Sequence, residues 1–208
     1  MPKRFRRMLI VIPTVAMLLA SCVGIDAGVE IRSDGSGTLS LEYRISRMVE
    51  SMGKLDGNEA WLPLPVGRAD FERTVARVPG LTLTSFSSKE TEIDLVISAS
   101  LAFINPTALV TFLDATGRST SFEGEDASRK LTLRLAEGGG PLDPDLERLV
   151  SAVFKGYAVT LRIKTPTVPS SSSPGSVTEA SRTASYQSPV ADILSAKEPI
   201  QWEIAWKE

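Results

Sequence analysis

Few side chains in this sequence could carry out chemistry. Its 208 residues include no histidine and a single cysteine, Cys22, so the commonest general base and the commonest transition-metal ligand are missing. Ser51-Met52-Gly53-Lys54 matches the S-x-x-K pattern, in which a lysine can activate a serine. The K-T-G triplet that accompanies this pattern is missing, because Lys164-Thr165 is followed by Pro166. We therefore expect no catalytic residues, no enzyme activity and no cofactor.

Asp143, Asp145 and Glu147 form the best cluster of oxygen ligands in the sequence. A calcium loop of the EF-hand type needs a glycine and a distal glutamate, and Arg148 and Phe154 stand where these would fall. Acids at this spacing after a proline are typical of the first turn of a helix, where they complement the helix dipole. We expect no metal site.

The surroundings of Cys22 point to a different chemistry. A basic stretch containing Lys3 and Arg4 precedes an apolar run from Met8 to Ala20, which is too short to span a membrane. Leu19-Ala20-Ser21-Cys22 then resembles the lipobox of bacterial lipoprotein precursors. The resemblance implies cleavage before Cys22 and attachment of acyl chains, such as palmitate, to this cysteine. The alternative is an ordinary secretory signal, which would leave an unpaired thiol.

The lipobox divides the chain into a signal peptide (1–21), a short acylated tether (22–28) and a single domain (29–208). Residues 1–21 hold four of the 23 basic residues and none of the 25 acidic ones, so the rest carries a net charge of about −6. This charge disfavours nucleic acid as a partner. The expected partner is a membrane, reached through the acyl chains on Cys22, and the expected location is the cell envelope, facing the periplasm or the exterior.

Hydrophobic periodicity predicts an α+β domain with a largely antiparallel sheet and several short helices on one face. Strands alternate around a turn at Asp34-Gly35-Ser36-Gly37, and the longest alternation runs through Ile93, Leu95, Ile97, Ala99 and Leu101. Asn105-Pro106 and Asp143-Pro144 have the form of helix caps followed by a first-turn proline. We expect the closing strand, which contains Trp202 and Trp206, to pair with the sheet.

Residues 166–188 are rich in serine, proline and threonine. Such a composition buries little apolar surface and predicts a flexible surface loop, with a short strand near residues 182–186.

The most notable side chains of the sequence are large and apolar. Most are expected to form the core, including Phe71, Phe103, Phe112, Phe154, Trp202 and Trp206. The functional alternative is a wall for a hydrophobic ligand, because methionines adapt to irregular shapes and prolines keep Trp61-Leu62-Pro63-Leu64-Pro65 out of a helix or central strand. The candidate ligand-binding residues are Met48, Met52, Trp61, Leu62 and Leu64.

The layout from Cys22 through the Asp34–Gly37 turn to Phe103-Ile104-Asn105-Pro106 resembles the LppM-type envelope lipoproteins. That resemblance implies an α+β domain suspected of binding hydrophobic or lipidic molecules, and it carries over no binding residues. The expected function is therefore a non-catalytic, membrane-anchored lipoprotein that binds or shields a hydrophobic ligand near the membrane. The alternative is a protein-interaction module of an envelope or cell-surface complex, with the Ser/Pro-rich segment and the Trp-rich end as contacts.

Overall fold

The structure is a computed structural model that describes residues 23–47, 65–114, 117–125, 127–140, 142–172 and 174–207. It confirms the α+β class: the residues it describes form two sheets and four α-helices in a single domain, and their strand pairs are largely antiparallel. Within these residues, no helix is long and apolar enough to cross a membrane.

The larger sheet has seven strands. In spatial order they are β3 (Leu81–Glu90), β4 (Asp94–Phe103), β2 (Gly37–Ser46), β1 (Val23–Ile31), β7 (Ala158–Lys164), β10 (Thr183–Pro189) and β9 (Ser176–Thr178). β1 and β7 run parallel, with Ile25 opposite Val159. The sequence analysis predicted antiparallel pairs and did not predict this parallel one, which joins two strands far apart in the chain.

The smaller sheet has four strands and contains the closing strand, as expected. In spatial order they are β5 (Thr120–Glu125), β6 (Ser128–Ala136), β11 (Ile200–Lys207) and β8 (Ser170–Ser171). β11 lies between β6 and β8, and its apolar side chains Trp202, Ile204 and Trp206 are buried.

The helices are short, and two of them begin after a capping side chain. They are α1 (Arg68–Ala76), α2 (Pro106–Leu113), α3 (Pro144–Val153) and α4 (Val190–Leu194), with one 3₁₀ turn at Glu179–Ser181. Asn105 accepts a hydrogen bond from the backbone N–H of Ala108 at 2.9 Å, and Asp143 accepts one from that of Asp145 at 2.9 Å. The capping role of Asp143 is thus confirmed.

Both sheets contribute to one hydrophobic core. The inner face of the larger sheet supplies Ile97 and Leu101, and the smaller sheet supplies Leu131, Trp202 and Ile204, all fully buried. The rings of Tyr186 and Trp202 connect the two sheets, with centroids 5.8 Å apart. The core interpretation is confirmed for five of the aromatic side chains named above: Phe71, Phe103, Phe154, Trp202 and Trp206.

Two boundaries expected from the sequence are wrong. Residues 23–28, expected to be a tether, belong to β1, because Ile25 and Ala27 alternate with polar or small neighbours and face the core side. Residues 166–188, expected to be a loop, contain β8, β9 and most of β10. The strand expected near residues 182–186 is present in β10, where Ala184 and Tyr186 are buried.

Candidate functional site at the start of strand β1

The site lies at the end of the seven-stranded sheet where β1 begins. Val23 pairs with Ile45 of β2, and Ile45 pairs with Leu95 of β4, so these residues form one row across three strands. β7 starts at the same end, because it runs parallel to β1. We call this end the Val23 edge; its members are Val23, Gly24, Ser46, Arg47, residues 90–94 and Tyr157.

A hydrogen bond between distant residues closes the Val23 edge. The Tyr157 hydroxyl donates to Oδ1 of Asp94 at 2.6 Å. Asp94 begins β4 and Tyr157 directly precedes β7, and β2 and β1 lie between these two strands. Gly24 makes room for this bond, because a Cβ atom there would lie 3.3 Å from Cδ1 of Tyr157. Asp94 is one of the few buried polar side chains among the described residues, with 5% of its surface exposed.

The turn between β3 and β4 projects from the same edge and is held by its own hydrogen bonds. The Thr91 backbone N–H donates to the Asp94 carbonyl at 2.8 Å, and the Asp94 N–H donates to the Thr91 hydroxyl at 2.9 Å. Arg47, which directly follows β2, also holds the turn: its N–H donates to the Ile93 carbonyl at 2.9 Å, and its guanidinium donates to the Thr91 carbonyl at 3.2 Å. The turn therefore has a defined conformation.

Ile93 is the most exposed large apolar side chain among the described residues, at 72%. Alternation with Leu95 and Ile97 predicted that it would be buried, and this is wrong. β4 begins at Asp94, opposite the last residue of β2, Ser46. Ile93 thus lies past the end of the ladder, where no side chain of a neighbouring strand covers it.

The outer face of the larger sheet is polar along β1 and β7. Arg162 forms an ion pair with Asp26, and Lys164 forms one with Glu30 at 3.0 Å, so both pairs join the parallel strands β1 and β7. The hydrogen bond from Lys164 and its charge lower the pKa of the Glu30 carboxyl. These charged pairs favour exposure of this face of the sheet to solvent.

The candidate residues from the sequence lie outside the described residues. These are Cys22, Met48, Met52, Trp61, Leu62 and Leu64. Their connections to the described domain are nevertheless informative: Cys22 directly precedes Val23, and Met48 directly follows Arg47. Both segments therefore join the sheet at the Val23 edge. Ser51 and Lys54 also lie outside the described residues.

Comparison with known proteins assigns the chain to no family. No protein-family model matches the chain, and no curated protein matches it. The lipobox and the LppM-type resemblance therefore stay predictions.

Two shallow grooves lie on the described part of the chain away from the Val23 edge. One, of about 280 Å³, lies on the smaller sheet and is lined by polar side chains such as Arg118, Lys130 and Glu203. The other, of about 370 Å³, lies at the opposite end of the larger sheet, where Asp34, Phe122 and Trp206 meet. Neither has the predominantly apolar wall that a lipid-binding cavity needs.

Tyr43 is a buried residue in the core of the larger sheet. Its hydroxyl is buried and has no hydrogen-bond partner among the described residues, and burial raises its pKa. Its ring stacks at 6.4 Å on Phe71 of α1. Both rings are thus buried in the core.

Proposed function

We propose that this chain is a non-catalytic, membrane-anchored envelope lipoprotein whose domain binds or shields a hydrophobic or lipidic ligand close to the bilayer. One structural observation carries the proposal: β1 begins at Val23, immediately after the lipobox cysteine. Consecutive α-carbons lie about 3.8 Å apart, so acyl chains on Cys22 would hold the Val23 edge directly at the membrane. Two or three acyl chains would make this attachment permanent for practical purposes.

The proposed ligand-binding residues belong to the segment between Arg47 and Pro65. Because this segment leaves the sheet at the Val23 edge, a ligand bound by Met48, Met52, Trp61, Leu62 and Leu64 would enter from the membrane side. The buried core of the described domain, its polar groove on the smaller sheet and the mixed lining of the other groove favour this segment over the sheets as the place for an apolar ligand.

The alternative function, a protein-interaction module, has less structural support. Trp202 and Trp206, proposed as contacts, are buried in the core and present no surface to a partner. Part of the Ser/Pro-rich segment is taken up by strand pairing and by contacts with β11.

The anchor is tested by the intact mass of the full chain purified from a bacterial membrane. We expect a protein that begins at Cys22 and carries acyl chains, whereas a Cys22→Ala variant should be unacylated and leave the membrane fraction. A wild-type chain that starts elsewhere, or that carries an unmodified thiol, would overturn the proposal.

The ligand is tested separately by native mass spectrometry of the same protein after gentle detergent exchange. We expect bound lipid that is lost when Trp61 and Leu62 are both replaced by serine and retained in the control Ile104→Ser, which alters an exposed apolar side chain elsewhere. Wild-type protein without bound lipid would overturn the ligand proposal and leave the anchor standing.

A further inference from the structure

The turn that carries Ile93 reaches further toward the proposed membrane side than the start of β1 does. Val23, Ile45 and Leu95 form one row, and Ile93 lies two residues beyond Leu95, in the direction from which the chain enters β1. At about 3.3 Å per strand residue, this amounts to roughly 7 Å. A bilayer that holds Cys22 would therefore meet Ile93 as well.

Ile93 is well suited to such a contact because it is both exposed and held in place. Its 72% exposure leaves most of an apolar side chain in water, which is unfavourable until another apolar phase covers it. The hydrogen bonds of Thr91 and Arg47 fix the backbone of the turn. Insertion therefore requires little additional ordering of the chain.

The charges around the turn indicate which kind of surface it meets. Arg47 and Lys89 are balanced by Glu90 and Glu92, and Arg47 pairs with Glu90 at 3.5 Å. A nearly neutral turn gains little from anionic lipid. Its chemistry fits the interface of a zwitterionic bilayer, where one isoleucine can leave the water.

From these observations we infer that the 91–93 turn inserts Ile93 into the bilayer next to the lipidated cysteine and so fixes the orientation of the domain. This inference rests on the proposed acylation of Cys22. One isoleucine is too small to hold the protein on a membrane alone, but the anchor keeps it at a high effective concentration near the lipid. The β1–β2 turn would then point away from the membrane.

The sequence offers a matched control for this contact. Ile104 is exposed to a similar degree, 68%, and directly follows the other end of the same strand, β4. The two isoleucines differ in which end of the sheet they occupy. Any effect of apolarity alone should be the same at both positions.

The test uses full-length acylated protein in phosphatidylcholine vesicles. Since Cys22 is the only native cysteine and would be acylated, a cysteine introduced by Ile93→Cys or Ile104→Cys takes up an environment-sensitive fluorophore at one site. Quenching by brominated phosphatidylcholine should be at least about fivefold stronger at position 93 than at position 104. In a second pair of variants the fluorophore is attached through Glu92→Cys, so that Ile93 itself can be varied. Adding Ile93→Ser should abolish the quenching of this fluorophore, whereas adding Ile104→Ser should leave the quenching unchanged.

The outcomes separate the two proposals. Equal quenching at both positions, with acyl chains present on Cys22 by mass, would overturn the insertion of Ile93 and leave the lipoprotein proposal intact. A chain without acyl groups would overturn both. A fluorescence shift at position 93 that grows with protein density and is insensitive to brominated lipid would indicate contact with a second copy of the chain, and would also overturn the insertion.

Discussion

Tyr157 and Asp94 are joined by a 2.6 Å hydrogen bond that spans two strands of the larger sheet. Asp94 is 5% exposed, and a buried carboxyl that loses a hydrogen bond retains the cost of its desolvation. We expect Tyr157→Phe to lower the free energy of unfolding by about 1–3 kcal/mol, measured by urea denaturation of the full chain.

Tyr43→Phe is the control for this change. The Tyr43 hydroxyl is buried without a partner among the described residues, so its removal should leave the stability unchanged or raise it. If both tyrosine variants lose similar stability, the bond between Tyr157 and Asp94 is not what stabilises the Val23 edge.

Gly37 is required by the close approach of its neighbours in the sheet. A Cβ atom there would lie 2.0 Å from the Glu30 carbonyl oxygen and 2.3 Å from Cζ of Phe103. We expect Gly37→Ala to lower the free energy of unfolding by about 3 kcal/mol, measured by thermal and urea denaturation. Gly28→Ala, where nothing lies within 4 Å of the added atom, should change it by no more than about 1 kcal/mol. Equal losses would show that strand glycines are generally sensitive.

Local sequence signals predicted much of the fold. The Asn105-Pro106 and Asp143-Pro144 caps and the Asp34–Gly37 turn each act over a few residues, and all lie where expected. The parallel pairing of β1 with β7 was missed, because no local pattern reports which distant strand fills a neighbouring place.

The candidate site was predicted less well, for a related reason. Alternation correctly identified Leu95 and Ile97 as buried but also included Ile93, because periodicity does not show where the partner strand ends. Nothing in the sequence links Tyr157 to Asp94, since their contact depends on the order of four strands.

The pair of Glu30 and Lys164 makes a small, pH-dependent contribution to stability. The pKa of Glu30 is lowered from its ordinary 4.5 by the hydrogen bond from Lys164, so the unfolded chain binds more protons in the window below that value. The pair therefore stabilises the fold above about pH 4.5, and its contribution is lost as the pH falls through the lowered pKa.

Glu30→Gln tests this linkage. Because both side chains are about half exposed, the variant should lose at most about 1 kcal/mol at pH 7, and its difference from wild type should be smaller at about pH 3. Urea denaturation of both proteins at the two pH values measures this difference in the free energy of unfolding. In a Lys164→Gln background the same change should cost nothing; a constant loss at both pH values would contradict the assignment.

The Ser/Pro-rich segment has a structural role that its composition conceals. Serines and prolines bury little surface themselves, which is why the sequence predicted a loop. In the structure, this segment instead covers β11: the Trp202 indole N–H donates to the Ser171 hydroxyl at 2.8 Å, and the Glu203 N–H donates to the Ser172 hydroxyl at 2.8 Å. A fully buried tryptophan thus obtains its polar partner from a segment of small side chains.

Ser171→Ala should therefore destabilise the whole domain. It leaves the Trp202 N–H buried without a partner, and we expect a loss of about 1–3 kcal/mol in the free energy of unfolding, followed by tryptophan fluorescence in urea. Ser170→Ala, one residue away and bonded at 3.3 Å to the Ala205 carbonyl on the exposed side, should change it by less than about 0.5 kcal/mol. Only the Ser171 hydroxyl accepts a hydrogen bond from the Trp202 indole. An equal loss of unfolding free energy in the two variants would therefore mean that this hydrogen bond does not stabilise the domain and that the segment covers Trp202 by packing alone.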